Sequence, residues 1–121
     1  MFSDEALERF RKPKNSGDLD NYNARGRSGD PICSDVIELF ISFKDNKIRD
    51  AKFKVFGCPG AISTTDVFID LIKGKSIKEA TAITEEQILD ALGGLPNSHM
   101  HCSGLPLEAF KKAVEDYENK R

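Results

Sequence analysis

Three cysteines and two histidines are the residues of this chain whose types could do chemistry, together with one acid placed close to a cysteine. Cys33 is followed at the second position by Asp35, Cys58 opens the turn Cys58-Pro-Gly60, and Cys102 closes the stretch Asn97-Ser-His-Met-His-Cys102, which carries His99 and His101. Thiolate sulfur is a soft ligand that suits zinc, copper(I) and iron–sulfur clusters, and imidazole is compatible with zinc and iron. Cys33, Cys58, Cys102 and His101 make a ligand set that serves tetrahedral zinc equally well as a [2Fe-2S] cluster with two protein ligands on each iron. Ligand type alone leaves both open.

Spacing adds a different kind of information. Structural zinc sites usually pair close ligands such as Cys-x2-Cys, whereas these cysteines stand singly in separate turns. A carboxylate beside Cys33 is a hard oxygen donor that weakens an all-thiolate site and offers an exchangeable ligand, which favours a site that must release what it holds. Cys58 and Cys102 each precede a helical pattern, where backbone N–H groups and the helix dipole favour negative charge. An exposed thiol of that kind can take sulfur from a persulfide by exchange, and Cys102, with His101 adjacent, is the better placed for that catalytic role. Taken one at a time, a cysteine is more often a small buried apolar residue, and His99, His101 or Asp35 an ordinary surface or turn residue. Convergence of several is what would make a site.

The elements must therefore bring distant turns together. Ser3 reads as the cap of a short helix with Asp4 and Glu5 in its first turn, Ala6, Leu7 and Phe10 on its packing face, and Pro13 as its stop. Residues 14–30 are poor in apolar side chains and read as a long loop or a poorly formed edge strand, the most mobile part of the chain. Ile37, Leu39, Ile41 and Phe43 recur at period two, Lys44-Asp-Asn-Lys47 supplies a turn, and Ala51, Phe53 and Val55 alternate with Lys52 and Lys54. That is an antiparallel hairpin with one solvated face, and it returns Cys58 to the end of the sheet where Cys33 begins. After Cys58 comes a central buried helix carrying Ile62, Phe68, Ile69 and Ile72, ended by Gly74. Ser76 with Glu79 and Thr84 with Gln87 match capping boxes of two further short helices, and a final helix runs from Leu105 with Phe110 and Ala113 on its inner face. Strands followed by helices in blocks predict an α+β fold, a small antiparallel β-sheet packed against helices.

The totals fit one domain over 1–121. Eighteen basic against twenty acidic residues give a net charge of −2, so neither nucleic acid nor an anionic membrane is an expected partner. No signal-like start and no long apolar run stand out, which predicts a cytoplasmic protein, and cysteines in a reducing compartment are more often metal-binding or catalytic than bridged.

Gly29-Asp-Pro-Ile-Cys-Ser-Asp35, Phe56-Gly-Cys-Pro-Gly-Ala-Ile62 and His101-Cys-Ser103, in this order, resemble the IscU/NifU N-terminal family of iron–sulfur cluster assembly scaffolds. The resemblance extends to Phe10-x-x-Pro13-x-Asn15 and to Lys73-Gly-Lys-Ser76, and so covers nearly the whole chain. It implies a compact α+β domain on which a [2Fe-2S] cluster is built and passed on, an assembly scaffold and not an enzyme. Cys33, Cys58 and Cys102 would be the cluster cysteines, His101 or Asp35 the fourth ligand, and Asp35 the residue that keeps the cluster transferable. A cysteine desulfurase would supply sulfur as persulfide, iron and electron donors and acceptor apoproteins would complete the cycle, and zinc could occupy the same ligands. Leu95-Pro-Asn-Ser-His99 stands where bacterial members carry a Leu-Pro-Pro-Val-Lys segment read by an Hsp70-type chaperone, so the resemblance does not carry that partner over. A homo-oligomer sharing one cluster across an interface stays open. The alternative function is a zinc-binding persulfide acceptor, a sulfurtransferase partner of a desulfurase that builds no cluster.

Overall fold

A computed structural model describes residues 2–30, 35–96 and 102–120. Strands β1 (Ala24–Asp30), β2 (Asp35–Lys44) and β3 (Lys47–Phe56) form an antiparallel sheet in the order β1-β2-β3. The predicted hairpin is β2–β3. Its turn places Asp45 and Asn46 at φ of 55° and 61°, the left-handed region that Asp and Asn tolerate and that a two-residue hairpin with right-handed twist requires. Ile37, Leu39, Ile41, Phe43, Ala51 and Phe53 point to one face and are buried. The other face carries, row by row across the register, Val36 beside Phe56, then Arg27, Glu38 and Lys54, then Arg25, Phe40 and Lys52.

The stretch expected to be a loop or poorly formed edge is instead a seven-residue strand, β1, paired with β2 along its whole length. Its inward residues, Ala24, Gly26 and Ser28, are small because helix α5 (Leu105–Asn119) lies directly on them. A Cβ on Gly26 would fall 1.9 Å from the Ala109 carbonyl oxygen and 2.5 Å from the Ala113 nitrogen. Ser28 Oγ donates to the Leu105 carbonyl at 2.7 Å, fixing the start of α5 to the sheet. Just upstream, Gly17 and Asn15 exchange backbone hydrogen bonds with Phe53 on the outer edge of β3, so the segment expected to be most mobile is tied at both ends.

Helix α1 (Asp4–Arg11) starts at Ser3, whose Oγ accepts from Ala6 N–H and donates to the Leu92 carbonyl at the end of α4 (Glu85–Leu92). Its packing face is corrected by the structure: Ala6 and Arg9 are buried, whereas Phe10 is 41% exposed. Arg9 Nη1 donates to Asp66 Oδ2 and Asp70 Oδ2, both at 2.7 Å, on the central helix α2 (Pro59–Ile72). Asn15 adds its backbone N–H to Asp66 Oδ1 and its amide to Asp70 Oδ1, and Lys73 Nζ reaches Asn15 Oδ1. Helix α2 is buried nearly throughout, as expected, and its polar residues are satisfied internally, with Ser63 donating to the Ala6 carbonyl and Thr65 to the Ala61 carbonyl. Both capping boxes form, at α3 (Ile77–Thr81) and α4. Among the described residues no helix is long and apolar enough to cross a membrane.

Two consequences are measurable. Gly26→Ala forces α5 away from β1 and should cost about 1–3 kcal/mol of overpacking, read as a lower denaturation midpoint with unchanged slope. Burial pushes the Asp70 carboxyl up, but hydrogen bonds from Asn15 and Arg9 and the Arg9 charge outweigh it and hold it below its ordinary value of 3.8. The unfolded chain therefore binds more protons than the folded one in that range, so this contribution is complete above 3.8 and is lost as pH falls through the lower folded value. Asp70→Asn should flatten the acid limb of stability against pH; a limb as steep as that of the wild type would refute the assignment.

Candidate metal centre

The site lies where three elements end together. Asp35 is the first residue of β2, and its neighbour Val36 pairs with Phe56, the last residue of β3. One glycine later the chain reaches Cys58, the N-cap of α2, with Pro59 at the first helical position where its missing N–H costs nothing. Cys102 begins a short turn over residues 102–104 that leads into α5, and the Ser28–Leu105 hydrogen bond sets this turn at the same end of the sheet.

The side chains meet. Asp35 Oδ1 accepts the Cys58 backbone N–H at 3.1 Å, while Oδ2 lies 3.4 Å from Cys58 Sγ and 3.9 Å from Cys102 Sγ. The two sulfurs are 3.5 Å apart, and one ligand atom from each of the three residues falls within 4.8 Å of the others. One carboxylate oxygen thus orders the backbone and the other faces both sulfurs. Gly57 makes this approach possible, because a Cβ there would stand 2.5 Å from Asp35 Oδ1. Asp35 and Cys102 are buried and Cys58 is half-buried. The burial of Cys102 departs from the exposed thiol anticipated in the sequence. Its carbonyl lies 3.3 Å from Thr64 Oγ1, a hydroxyl whose single proton is shared with the nearer Gly60 carbonyl at 2.8 Å.

Of the residues singled out in the sequence, Asp35, Cys58 and Cys102 come together, while Cys33, His99 and His101 lie outside the described residues. Others enter from the structure alone. Gly57 clears the carboxylate, Thr64 meets the Cys102 carbonyl, and Glu85 Oε1 accepts from Ser103 Oγ at 3.2 Å, tying the turn after Cys102 to the first residue of α4. None of these stands out in the sequence: α2 carries Ser63, Thr64, Thr65, Asp66 and Asp70, with nothing to mark Thr64 among them, and an acid such as Glu85 in a first helical turn has a local explanation.

Two thiols and a carboxylate with one oxygen turned toward both sulfurs combine soft and hard donors around a single point. Such a set fits iron–sulfur cluster binding: the sulfurs take iron, and the oxygen is the weaker, exchangeable donor.

Comparison with known proteins agrees with this geometry. The NifU-like N terminal domain family matches the chain over residues 1–121. The iron-sulfur cluster assembly scaffold protein IscU 1 of Archaeoglobus fulgidus is 42% identical over 120 residues, spanning 99% of this chain and 78% of that protein. IscU of Escherichia coli (strain K12), also named as an iron-sulfur cluster assembly scaffold protein, is 38% identical over 124 residues, covering 99% and 96%. The crystal structure of FiSufU from Fervidobacterium islandicum AW-1 superposes with a TM-score of 0.77 over 93% of this chain and 96% of that one, at 22% identity, which bears on the fold alone. The α+β architecture is thus shared with solved relatives, and with a family match along its whole length this chain belongs to the NifU-like N-terminal domain family.

Proposed function

We propose that the chain is a scaffold on which an iron–sulfur cluster is assembled and from which it is passed to acceptor apoproteins. The observation that carries this reading is the meeting of Asp35, Cys58 and Cys102 at the open end of the sheet, in a chain whose relatives are named as cluster assembly scaffolds. The cargo we infer is [2Fe-2S], with Cys33 and His101 completing the ligands that Cys58 and Cys102 begin. Zinc suits the same donors and would compete for them.

Sulfur delivery follows from exchange chemistry. The half-buried Cys58 thiolate attacks the terminal sulfur of a cysteine desulfurase persulfide and the donor thiolate leaves; the Cys102 thiolate, 3.5 Å behind it, then takes that sulfur by a second exchange that frees Cys58 and leaves the persulfide on Cys102. Two electrons from an external donor then reduce that sulfane sulfur to sulfide, and iron binds it together with the cysteine sulfurs. The chain is consumed and regenerated as a platform, so we read it as a scaffold and not as an enzyme. Asp35 keeps the product labile. Its Oδ2 competes with the sulfurs for iron, and its charge raises the energy of an already anionic cluster site.

Anaerobic reconstitution with iron and sulfide should give a coloured protein, and Cys58→Ala should abolish the visible spectrum. A wild-type chain that takes up no iron under these conditions overturns the reading. Asp35→Ala should lengthen the lifetime of the loaded cluster in a chelator challenge by on the order of tenfold, the scale of changes at residues that tune a metal site. An unchanged or shorter lifetime would remove Asp35 from that role.

A further inference from the structure

Among the described residues no helix lies on one face of the sheet, and the end of that face nearest the metal centre carries an exposed ring. Phe56 is 78% exposed, in register with the half-buried Val36 and two positions before Cys58. The next row presents Arg27, Glu38 and Lys54, and a shallow cavity of about 90 Å³ runs between these residues, Val36 and Phe56. Farther from the site the face is closed, because Tyr22 sets its ring edge-on against Phe40 at 5.1 Å. The open part is therefore an edge of apolar surface bordering the site, backed by a row of two cations and one acid.

Charge on this face runs opposite to that of the chain as a whole. Arg25, Arg27, Lys52 and Lys54 stand against two acids, Glu38, 3.5 Å from Arg25, and Asp18, 2.6 Å from Lys54. The whole chain carries −2. An exposed aromatic beside a face of net positive charge is a surface that an acidic protein with an apolar recess fits: the ring provides the desolvated anchor and the surplus cations provide steering and register.

We propose that this open face is the docking surface for an acidic acceptor protein, which seats an apolar recess on Phe56, lays its carboxylates along Arg27 and Lys54, and meets the cargo at Cys58. The proposal rests on the scaffold reading and adds the partner's chemistry and its approach. Docking there brings the acceptor to the half-buried member of the cysteine pair, with Cys102 and Asp35 behind it.

The test uses the full chain, loaded anaerobically with cluster, and an acidic apo-ferredoxin as acceptor probe, with transfer followed by visible circular dichroism. The second-order transfer constant should fall on the order of tenfold in Arg27→Glu, Lys54→Glu and Phe56→Ser, and should fall with added salt in the wild type. Lys44→Glu, at the far end of the hairpin, changes net charge equally and should leave the constant within about twofold, since steering depends on where the charge sits. Cluster loss to EDTA should be equal in all four variants. Amide shifts in the metal-free chain on adding apo-ferredoxin should centre on Arg27, Val36, Lys54 and Phe56. Shifts centred elsewhere, or transfer that ignores both the substitutions and salt, overturn the proposal. A chain that binds the ferredoxin on this face yet never holds a cluster retains the docking surface and refutes the scaffold reading alone.

Discussion

Everything at the functional end of this protein depends on the carboxylate of Asp35 accepting the backbone N–H of Cys58. That single hydrogen bond joins the first residue of β2 to the N-cap of α2, and it exists only because Gly57 lets the chain pass within contact of the carboxylate. The sheet register brings the two strand ends alongside each other, but register alone would leave Cys58 free to turn away. With Oδ1 engaged on the backbone, Oδ2 is fixed beside both sulfurs. The carboxylate therefore positions one cysteine and crowds two, so under the scaffold reading the group that organises the site would also make its contents easier to remove.

The rest of the molecule supports that arrangement from a distance. Helix α2 carries Cys58 at its start and Asp66 and Asp70 toward its end, a separation along the axis of roughly 18 Å between Cys58 and Asp70 at the helical rise per residue. Arg9 and Asn15 gather on those acids, Lys73 in turn donates to Asn15 Oδ1, and among the described residues no buried side-chain polar atom lacks a partner. Removing Arg9 would strand the fully buried Asp66 at a cost of about 3–5 kcal/mol, the usual penalty for breaking a buried pair. The acids at the far end of α2 are thus matched by the Arg9 cation, whereas at the near end a carboxylate faces two sulfurs with no cation paired to it among the described residues.

How much of this was legible in the sequence depends on the reach of each signal. The hairpin could be read because Ile37, Leu39, Ile41 and Phe43 alternate, and the short helices because Ser76/Glu79 and Thr84/Gln87 are local capping pairs. β1 could not, because the close approach of α5 demands Ala24, Gly26 and Ser28, residues too small to give a hydrophobic period. Phe10 was preferred to Arg9 on α1 for the related reason that apolar periodicity cannot see acids on α2, more than fifty residues away along the chain. At the site, topology pointed only to Cys33 and Cys58 at one end of the sheet, and Cys33 lies outside the described residues; that Cys102 and Asp35 join Cys58 was carried by the family resemblance, since no local pattern links three separate turns. The contributions of Gly57, Thr64 and Glu85 were invisible, because each acts through a backbone group or a single atom of a distant residue.

The placement of the site at a sheet end also explains why its burial is uneven. A centre closed on all sides would hold metal as zinc ribbons do, by excluding competitors; one open on all sides would lose it to water and stray ligands. Here Cys102 is enclosed by the turn before α5, Asp35 by the strands, and Cys58 remains half-buried beside the exposed ring of Phe56. Under the scaffold reading, ligand exchange would begin where an incoming sulfur can approach, on the Cys58 side, with Asp35 Oδ2 placed to take over from a departing sulfur. The asymmetry of burial would then give release a direction, toward the sheet face that no helix covers among the described residues.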